Sequence, residues 1–251
     1  MKKDGGRYTH NVKSARLFAV TRPVGKGEDT AEYVKQLGWN PLIVHSVQLV
    51  PRDPADLFSE LRKIISDGSI DWAVFMSSQG VQQVFDILRS YGNLLPSLVG
   101  KFRVVAVGPK TRDALMKQGL QDVDMPMNYN SRGVARFLVE SPLEQKRVLL
   151  VRSADADDFL DRTLSSKGAV VVTIPVYSSS QPEDSTSIEL LIEQLKKGRV
   201  DVILFTSSRS VSNLFSMVEK RIGPGKLVEL LSKCVIGAIG PVTAQTLRDL
   251  N

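Results

Sequence analysis

The chain repeats itself, and the repeat constrains its fold more than any other feature. Asp71-Trp72-Ala73-Val74-Phe75-Met76-Ser77-Ser78 returns as Asp201-Val202-Ile203-Leu204-Phe205-Thr206-Ser207-Ser208 after 130 positions. Val81 and Phe85 then match Val211 and Phe215. Ala106-Val107-Gly108-Pro109-Lys110-Thr111 returns as Ala238-Ile239-Gly240-Pro241-Val242-Thr243 at an offset of 132, and Leu115 matches Leu247. Arg16-Leu17-Phe18-Ala19-Val20 resembles Arg147-Val148-Leu149-Leu150-Val151 at an offset of 131. Three blocks in one order at nearly constant spacing indicate a duplicated unit of about 130 residues.

Each unit alternates two hydrophobic periods. Short apolar runs at Leu17–Val20, Trp72–Met76 and Val104–Val107 predict strands. Helical spacing predicts helices over Asp29–Leu37, Ala55–Ser66, Val81–Leu88, Thr111–Lys117 and Gly133–Val139, with Gly38 and Gly119 as stops. Such alternation predicts an α/β chain of two similar domains, each a parallel sheet flanked by helices. Leu42–Pro51 and Val170–Pro182 are β-branched and end in proline, as extended strands or linkers do. Asn251 aligns with Gly119, so the second copy has no counterpart of Leu120–Glu140.

Composition removes several function classes. The 251 residues carry 33 Lys and Arg against 27 Asp and Glu, a formal charge of +6, which suits an anionic partner. No basic cluster is interleaved with aromatics, so nucleic acid is not expected. No apolar stretch is long enough to span a bilayer. Residues 1–13 are polar and basic without an apolar core, and read as a flexible tail rather than a secretory signal. A single cysteine excludes a disulfide framework and points to a reducing, cytoplasmic setting. Cys234 opens the apolar run to Ile239 and reads as a thiol in a buried strand. Two histidines leave little material for a zinc site, and His45 reads as structural.

In parallel α/β sheets, ligands gather at the carboxyl ends of the strands. Met76-Ser77-Ser78 and Thr206-Ser207-Ser208 place hydroxyls where a strand meets a helix. Gly108-Pro109 and Gly240-Pro241 do so with a glycine that admits close approach and a proline suited to the first helical turn, followed by Thr111 and Thr243. Helix starts expose unpaired N–H groups at the positive end of the dipole, so each is a candidate carboxylate or phosphate position or simply a capped helix. Gly25-Lys26-Gly27 is too short for a dinucleotide fingerprint. Asp155, Asp157, Asp158 and Asp161 read as solvated helix acids rather than a magnesium site. Tyr177 is the one candidate proton donor, or a tyrosine packed on the extended segment.

Taken together, these residues resemble uroporphyrinogen-III synthase from about Arg16 onward. The resemblance rests on Thr21-Arg22-Pro23, Phe75-Met76-Ser77-Ser78, Val107-Gly108-Pro109-Lys110-Thr111, Asn130-Ser131-Arg132-Gly133-Val134, Val176-Tyr177, Phe205-Thr206-Ser207-Ser208 and Ile239-Gly240-Pro241-Val242-Thr243. It implies a discontinuous first domain, residues 14–41 plus 183–251, lacking its terminal strand and helix. The second domain would span 52–169, with 42–51 and 170–182 as a two-stranded linker. The implied substrate is hydroxymethylbilane, a linear tetrapyrrole with eight carboxylates, cyclised with inversion of ring D. No metal or organic cofactor is implied. Tyr177 matches the proton donor to the leaving hydroxyl. Arg22, Pro23, Ser77, Ser78, Gly108, Pro109, Thr111, Ser131, Ser207, Ser208, Gly240 and Thr243 match substrate-lining positions. A monomer working beside the upstream bilane-forming deaminase is expected. The competing readings are a non-catalytic two-lobed binding protein for a small anion and a nucleotide-binding enzyme.

Overall fold

The computed structural model describes residues 16–67, 70–91 and 102–250; the tail at 1–13 lies outside them. The chain divides into two compact units, one reaching Leu49 and resuming at Ser180, the other spanning Val50–Ser179.

Unit 1 contains β1 (Leu17–Pro23), α1 (Glu28–Gln36) and most of β2 (Asn40–Pro51). After the excursion into unit 2, it resumes with α7 (Thr186–Lys196), β8 (Val200–Phe205), α8 (Ser208–Ile222), α9 (Lys226–Leu231), β9 (Val235–Ala238) and α10 (Pro241–Asp249). Its sheet runs β2-β1-β8-β9, all parallel. Unit 2 contains α2 (Pro54–Ser66), β3 (Trp72–Phe75), α3 (Ser78–Ser90), β4 (Arg103–Ala106), α4 (Pro109–Lys117), β5 (Val123–Asp124), α5 (Ser131–Val139), β6 (Arg147–Ser153), α6 (Phe159–Ser165) and most of β7 (Val170–Ser180). Its sheet runs β5-β4-β3-β6-β7, again all parallel. The α/β class with parallel sheets and flanking helices is therefore present in both units.

The duplication reappears as topology. In unit 1, β1 lies between β2 and β8, with β9 outside β8. In unit 2, β6 lies between β7 and β3, with β4 outside β3. The two copies even share an irregularity: the register shifts between Arg22 and Pro23 in β1, and between Arg152 and Ser153 in β6. Both bulges sit at the carboxyl end of a central strand, 130 positions apart.

The strands are buried because both faces are covered. In β3, Ala73 and Phe75 face a core with Leu57, Leu61, Phe85, Leu88 and Leu115. Trp72 and Val74 face the opposite core with Leu138, Leu150, Leu160 and Leu164. This is the two-residue side-chain period of a strand. Val81, Val84, Phe85 and Leu88 bury one stripe of α3, at the spacing of a helix face. Each such side chain contributes roughly 1.5–3 kcal/mol by leaving water. Gly38 and Gly119 close α1 and α4 at φ of 81° and 96°, where a side chain would be strained.

The segments at 42–51 and 170–182, expected as extended strands or linkers, are sheet strands over most of their length. β2 pairs with β1 from Asn40 to Val47, and β7 pairs with β6 from Val170 to Tyr177. Pairing with these neighbours satisfies backbone N–H and C=O groups along them. The apolar run after Cys234 is not a buried strand: Val235 is 66% and Ile236 42% exposed. Among the described residues nothing pairs with the outer edge of β9, whereas β5 covers the matching edge of β4. Cys234 itself donates from Sγ to the Val200 carbonyl at 3.1 Å, and burial, with Asp201 nearby, pushes its thiol up. Finally, the aspartates after β6 are not merely solvated. Asp161 pairs with the buried Arg152 and accepts from Thr173, and Asp155 accepts from the Ser179 N–H at 2.6 Å.

Candidate functional site

Every candidate residue lies at the carboxyl ends of the strands or on the helix starts that follow them. In unit 2 the serine after β3 is a cap: Ser77 Oγ accepts from the Gly80 N–H at 3.0 Å and starts the 13-residue α3. Tyr177, at the end of β7, donates from its phenol to the same Ser77 Oγ at 3.1 Å. These two candidates come from positions 100 apart and meet directly. Ser78 is exposed on the first turn.

The neighbouring helix starts differ in chemistry. Gly108 begins α4 with extended backbone and no side-chain cap, followed by Pro109. A Cβ on Gly108 would stand 3.1 Å from the Cβ of Tyr129, so this glycine makes room for that exposed ring. Thr111 is 4% exposed. At α5, Ser131 is the first helical residue, and the cap is Asn130, whose Oδ1 accepts from the Gly133 N–H at 2.9 Å. Sequence reasoning does not single out Asn130 or Tyr129 as site residues. Asn130 is readable as a cap from its place before the helical run; Tyr129 has no local signal.

The corresponding edge of unit 1 is more polar inside. Ser207 caps the 15-residue α8 in a reciprocal box with Ser210. Thr21, fully buried, donates to Ser210 Oγ at 3.0 Å and accepts from the Thr206 N–H at 3.1 Å. Thr206 Oγ1 returns a bond to the Thr21 carbonyl at 2.7 Å. Unit 2 has Val151, Met76 and Gly80 at the matching places. The hydroxyl network is therefore confined to one copy. Ser208 is partly buried on the first turn of α8. Gly240 (φ 89°) and Pro241 start α10, with Thr243 buried beneath them.

The two arginines at the bulges have diverged. Arg152 is 6% exposed and spent on Asp161 and the Asp157 carbonyl. Position 31, which matches Asp161, is alanine. Arg22 accordingly lacks a carboxylate there, and its Nε is buried with no hydrogen-bond partner among the described residues. Its chain lies against Gly27 at the start of α1. Pro23 follows it past the bulge, and His45 Nδ1 sits 3.3 and 3.2 Å from the Arg22 and Pro23 carbonyls. That contact supports the structural reading of His45.

The opposite edge of unit 2 holds a different hollow. A space of about 1230 Å³ opens among Asp71, Trp72, Arg103, Asp124 and Lys146, bordered by none of the candidate residues. Four of its charges pair, Arg103 with Asp124 at 2.8 Å and Lys146 with Asp71 at 2.9 Å. The Arg147 backbone N–H, then Lys146, hold the Asp71 carboxyl below its ordinary range. That stabilisation is present above the usual carboxylate pKa and fades as acid protonates the folded state. Among the described residues no group of three or more His, Cys, Asp or Glu is placed to hold a metal ion. No described helix is long and apolar enough to cross a membrane.

Comparison with known proteins adds an independent line. The family model described as uroporphyrinogen-III synthase HemD matches residues 28–251. A relative from Methanothermobacter thermautotrophicus, provisionally named a uroporphyrinogen-III synthase, is 30% identical over 92% of this chain and 88% of its own. The uroporphyrinogen-III synthase of Synechococcus elongatus is 25% identical over 94% and 86%. Among solved structures, a mutant uroporphyrinogen III synthase from Thermus thermophilus shares the fold, with a TM-score of 0.67 and 21% identity over 93% of this chain and 89% of that one. The Helicobacter pylori enzyme does so with a TM-score of 0.53 and 16% identity over 93% and 88%. By the family match over most of its length and by its relatives, this chain belongs to the uroporphyrinogen-III synthase family.

Proposed function

We propose that this chain cyclises hydroxymethylbilane to uroporphyrinogen III, inverting ring D and releasing water. The observation that carries the site assignment is the Tyr177 phenol held on the cap serine of α3, at the carboxyl edge of the unit 2 sheet. A phenol in reach of the terminal hydroxymethyl group can protonate the departing oxygen. The pyrrole nitrogen pushes electrons out, the carbon–oxygen bond breaks, and water leaves an azafulvene cation. The substituted carbon of ring D attacks the exocyclic carbon of that cation, forming a spiro intermediate. The spiro intermediate fragments and recloses with ring D inverted, and the last proton lost returns to the phenolate.

The substrate supplies nearly all the reactivity, so the protein's task is positioning. The helix starts at Ser77–Ser78, Gly108–Pro109 and Ser131 in unit 2, and at Ser207–Ser208 and Gly240 in unit 1, offer N–H groups and positive dipole ends to carboxylates. Thr111 and Thr243 are buried, so they belong to this scheme through the helix starts they support. Residues 14–41 plus 183–251 and 52–169 would act as its two domains, joined through 42–51 and 170–182. Because the free bilane closes on its own to isomer I, handover from the deaminase that makes it suits a monomeric, cytoplasmic enzyme. The two-lobed binding alternative is not favoured, since the family matched is a synthase.

Freshly made hydroxymethylbilane, followed by oxidation and chromatography of the uroporphyrin isomers, tests this reading. Isomer III is expected to predominate; isomer I alone at the spontaneous rate would overturn it.

Arg22 enters as a carboxylate ligand, because its counterpart Arg152 has an internal carboxylate and the matching place beside Arg22 is alanine. Arg22→Gln is expected to raise KM about tenfold, the loss of one charge-assisted contact, with kcat changed less than about threefold. Steady-state kinetics decide it, and an unchanged KM removes the role.

A further inference from the structure

The two copies of the β–helix junction differ in a way the duplication makes readable. Both keep a serine as helix cap, Ser77 before α3 and Ser207 before α8. Only the first faces a phenol. Strand register places Tyr177 opposite Ser153 past the bulge, and Val47 opposite Pro23 at the matching place in unit 1. The residue three after the cap differs as well. It is Ser210 in unit 1, whose hydroxyl donates to the Ser207 carbonyl at 2.6 Å, and Gly80 in unit 2. A Cβ at Gly80 would stand 3.2 Å from Ser77 Oγ and 3.3 Å from Val151 and Val176 methyls. Glycine keeps this corner open where the phenol arrives, against side chains 1% and 0% exposed.

Ser77 Oγ accepts two hydrogen bonds, from the Gly80 N–H and from Tyr177 Oη. Its own proton has no acceptor among the described residues. A hydroxyl pair at 3.1 Å can reverse direction without moving either oxygen. We propose that Ser77 is the positioning residue for proton transfer from Tyr177. Before the step it accepts the phenol's hydrogen bond and holds the ring in place. As the phenol proton passes to the departing substrate oxygen, Ser77 turns its own O–H onto the phenolate, whose charge also faces the α3 N-terminus. The proton ends in the released water, and Ser77 loses none. This inference rests on Tyr177 being the proton donor.

The test is a double-mutant cycle read as kcat and KM on hydroxymethylbilane, with isomer III as product. Ser77→Gly removes the hydroxyl while remaining a fair helix cap, and Ser77→Thr keeps both hydroxyl and cap. Ser77→Gly is expected to lower kcat about 10- to 30-fold, the scale of one lost hydrogen bond to a charged group, with KM within about twofold. Ser77→Thr is expected to retain kcat within about threefold. In a Tyr177→Phe background, Ser77→Gly is expected to have no further effect on kcat. If Tyr177→Phe lowers kcat but Ser77→Gly acts additively with it, or acts on KM alone, the Ser77 assignment is overturned and the Tyr177 role stands. If Tyr177→Phe leaves kcat unchanged, both fall.

Discussion

Tyr177→Phe is expected to lower kcat about 100- to 1000-fold, within the range that a positioned proton donor supplies. KM is expected to stay within about threefold, because the ring and its packing remain. The phenol donates to Ser77 Oγ, so its removal unseats one hydrogen bond at the surface of the core rather than a network. Product composition gives a second reading. As the enzymatic route slows, spontaneous closure takes a growing share and the ratio of isomer III to isomer I falls. Time courses at saturating substrate, with isomers separated at each point, measure both quantities. A variant that keeps wild-type kcat and isomer ratio would show that the leaving hydroxyl finds its proton elsewhere.

Gly133→Ala is expected to be among the most destabilising single changes, by about 2–3 kcal/mol. An added Cβ would fall 1.8 Å from the Asn128 carbonyl oxygen and 2.9 Å from the Asn128 Cβ. Both neighbours belong to the tight loop that ends in the Asn130 cap, so neither can yield without moving the other. Displacing residue 133 would also draw its N–H off Asn130 Oδ1, now at 2.9 Å. A melting temperature lowered by roughly 5–10 °C follows for a chain of this size. Circular dichroism melts, paired with wild type at one pH and protein concentration, check it. A melting temperature within about a degree of wild type would mean that the 128–133 loop relaxes freely.

Much of this molecule can be read from its residues because the signals are local. Alternating short apolar runs and amphipathic stretches specify strand or helix within a dozen positions, and Gly38 and Gly119 mark helix ends by needing positive φ. The duplication adds long-range information, since two copies of one order imply two sheets of one topology. Ser77 and Ser207 are recognisable as caps from their place between strand and helix. The exposed face of β9 is not readable in this way. Val235 and Ile236 look like any buried strand until the sheet order places them at an edge.

What the sequence determined by itself was therefore the pair of α/β units, their parallel sheets and the position of the helix starts. Only the tertiary structure decided which of these starts meets a phenol. Tyr177 reaches Ser77 because β7 and β3 flank β6, and because a bulge after Arg152 resets the register so that Tyr177 lies opposite Ser153. Arg22 differs from Arg152 because one has alanine at the matching place and the other has Asp161 beside it. Pairing across strands and charges across a helix–strand contact depend on which segments become neighbours. Local periodicity does not encode that choice; burial of the whole core selects it.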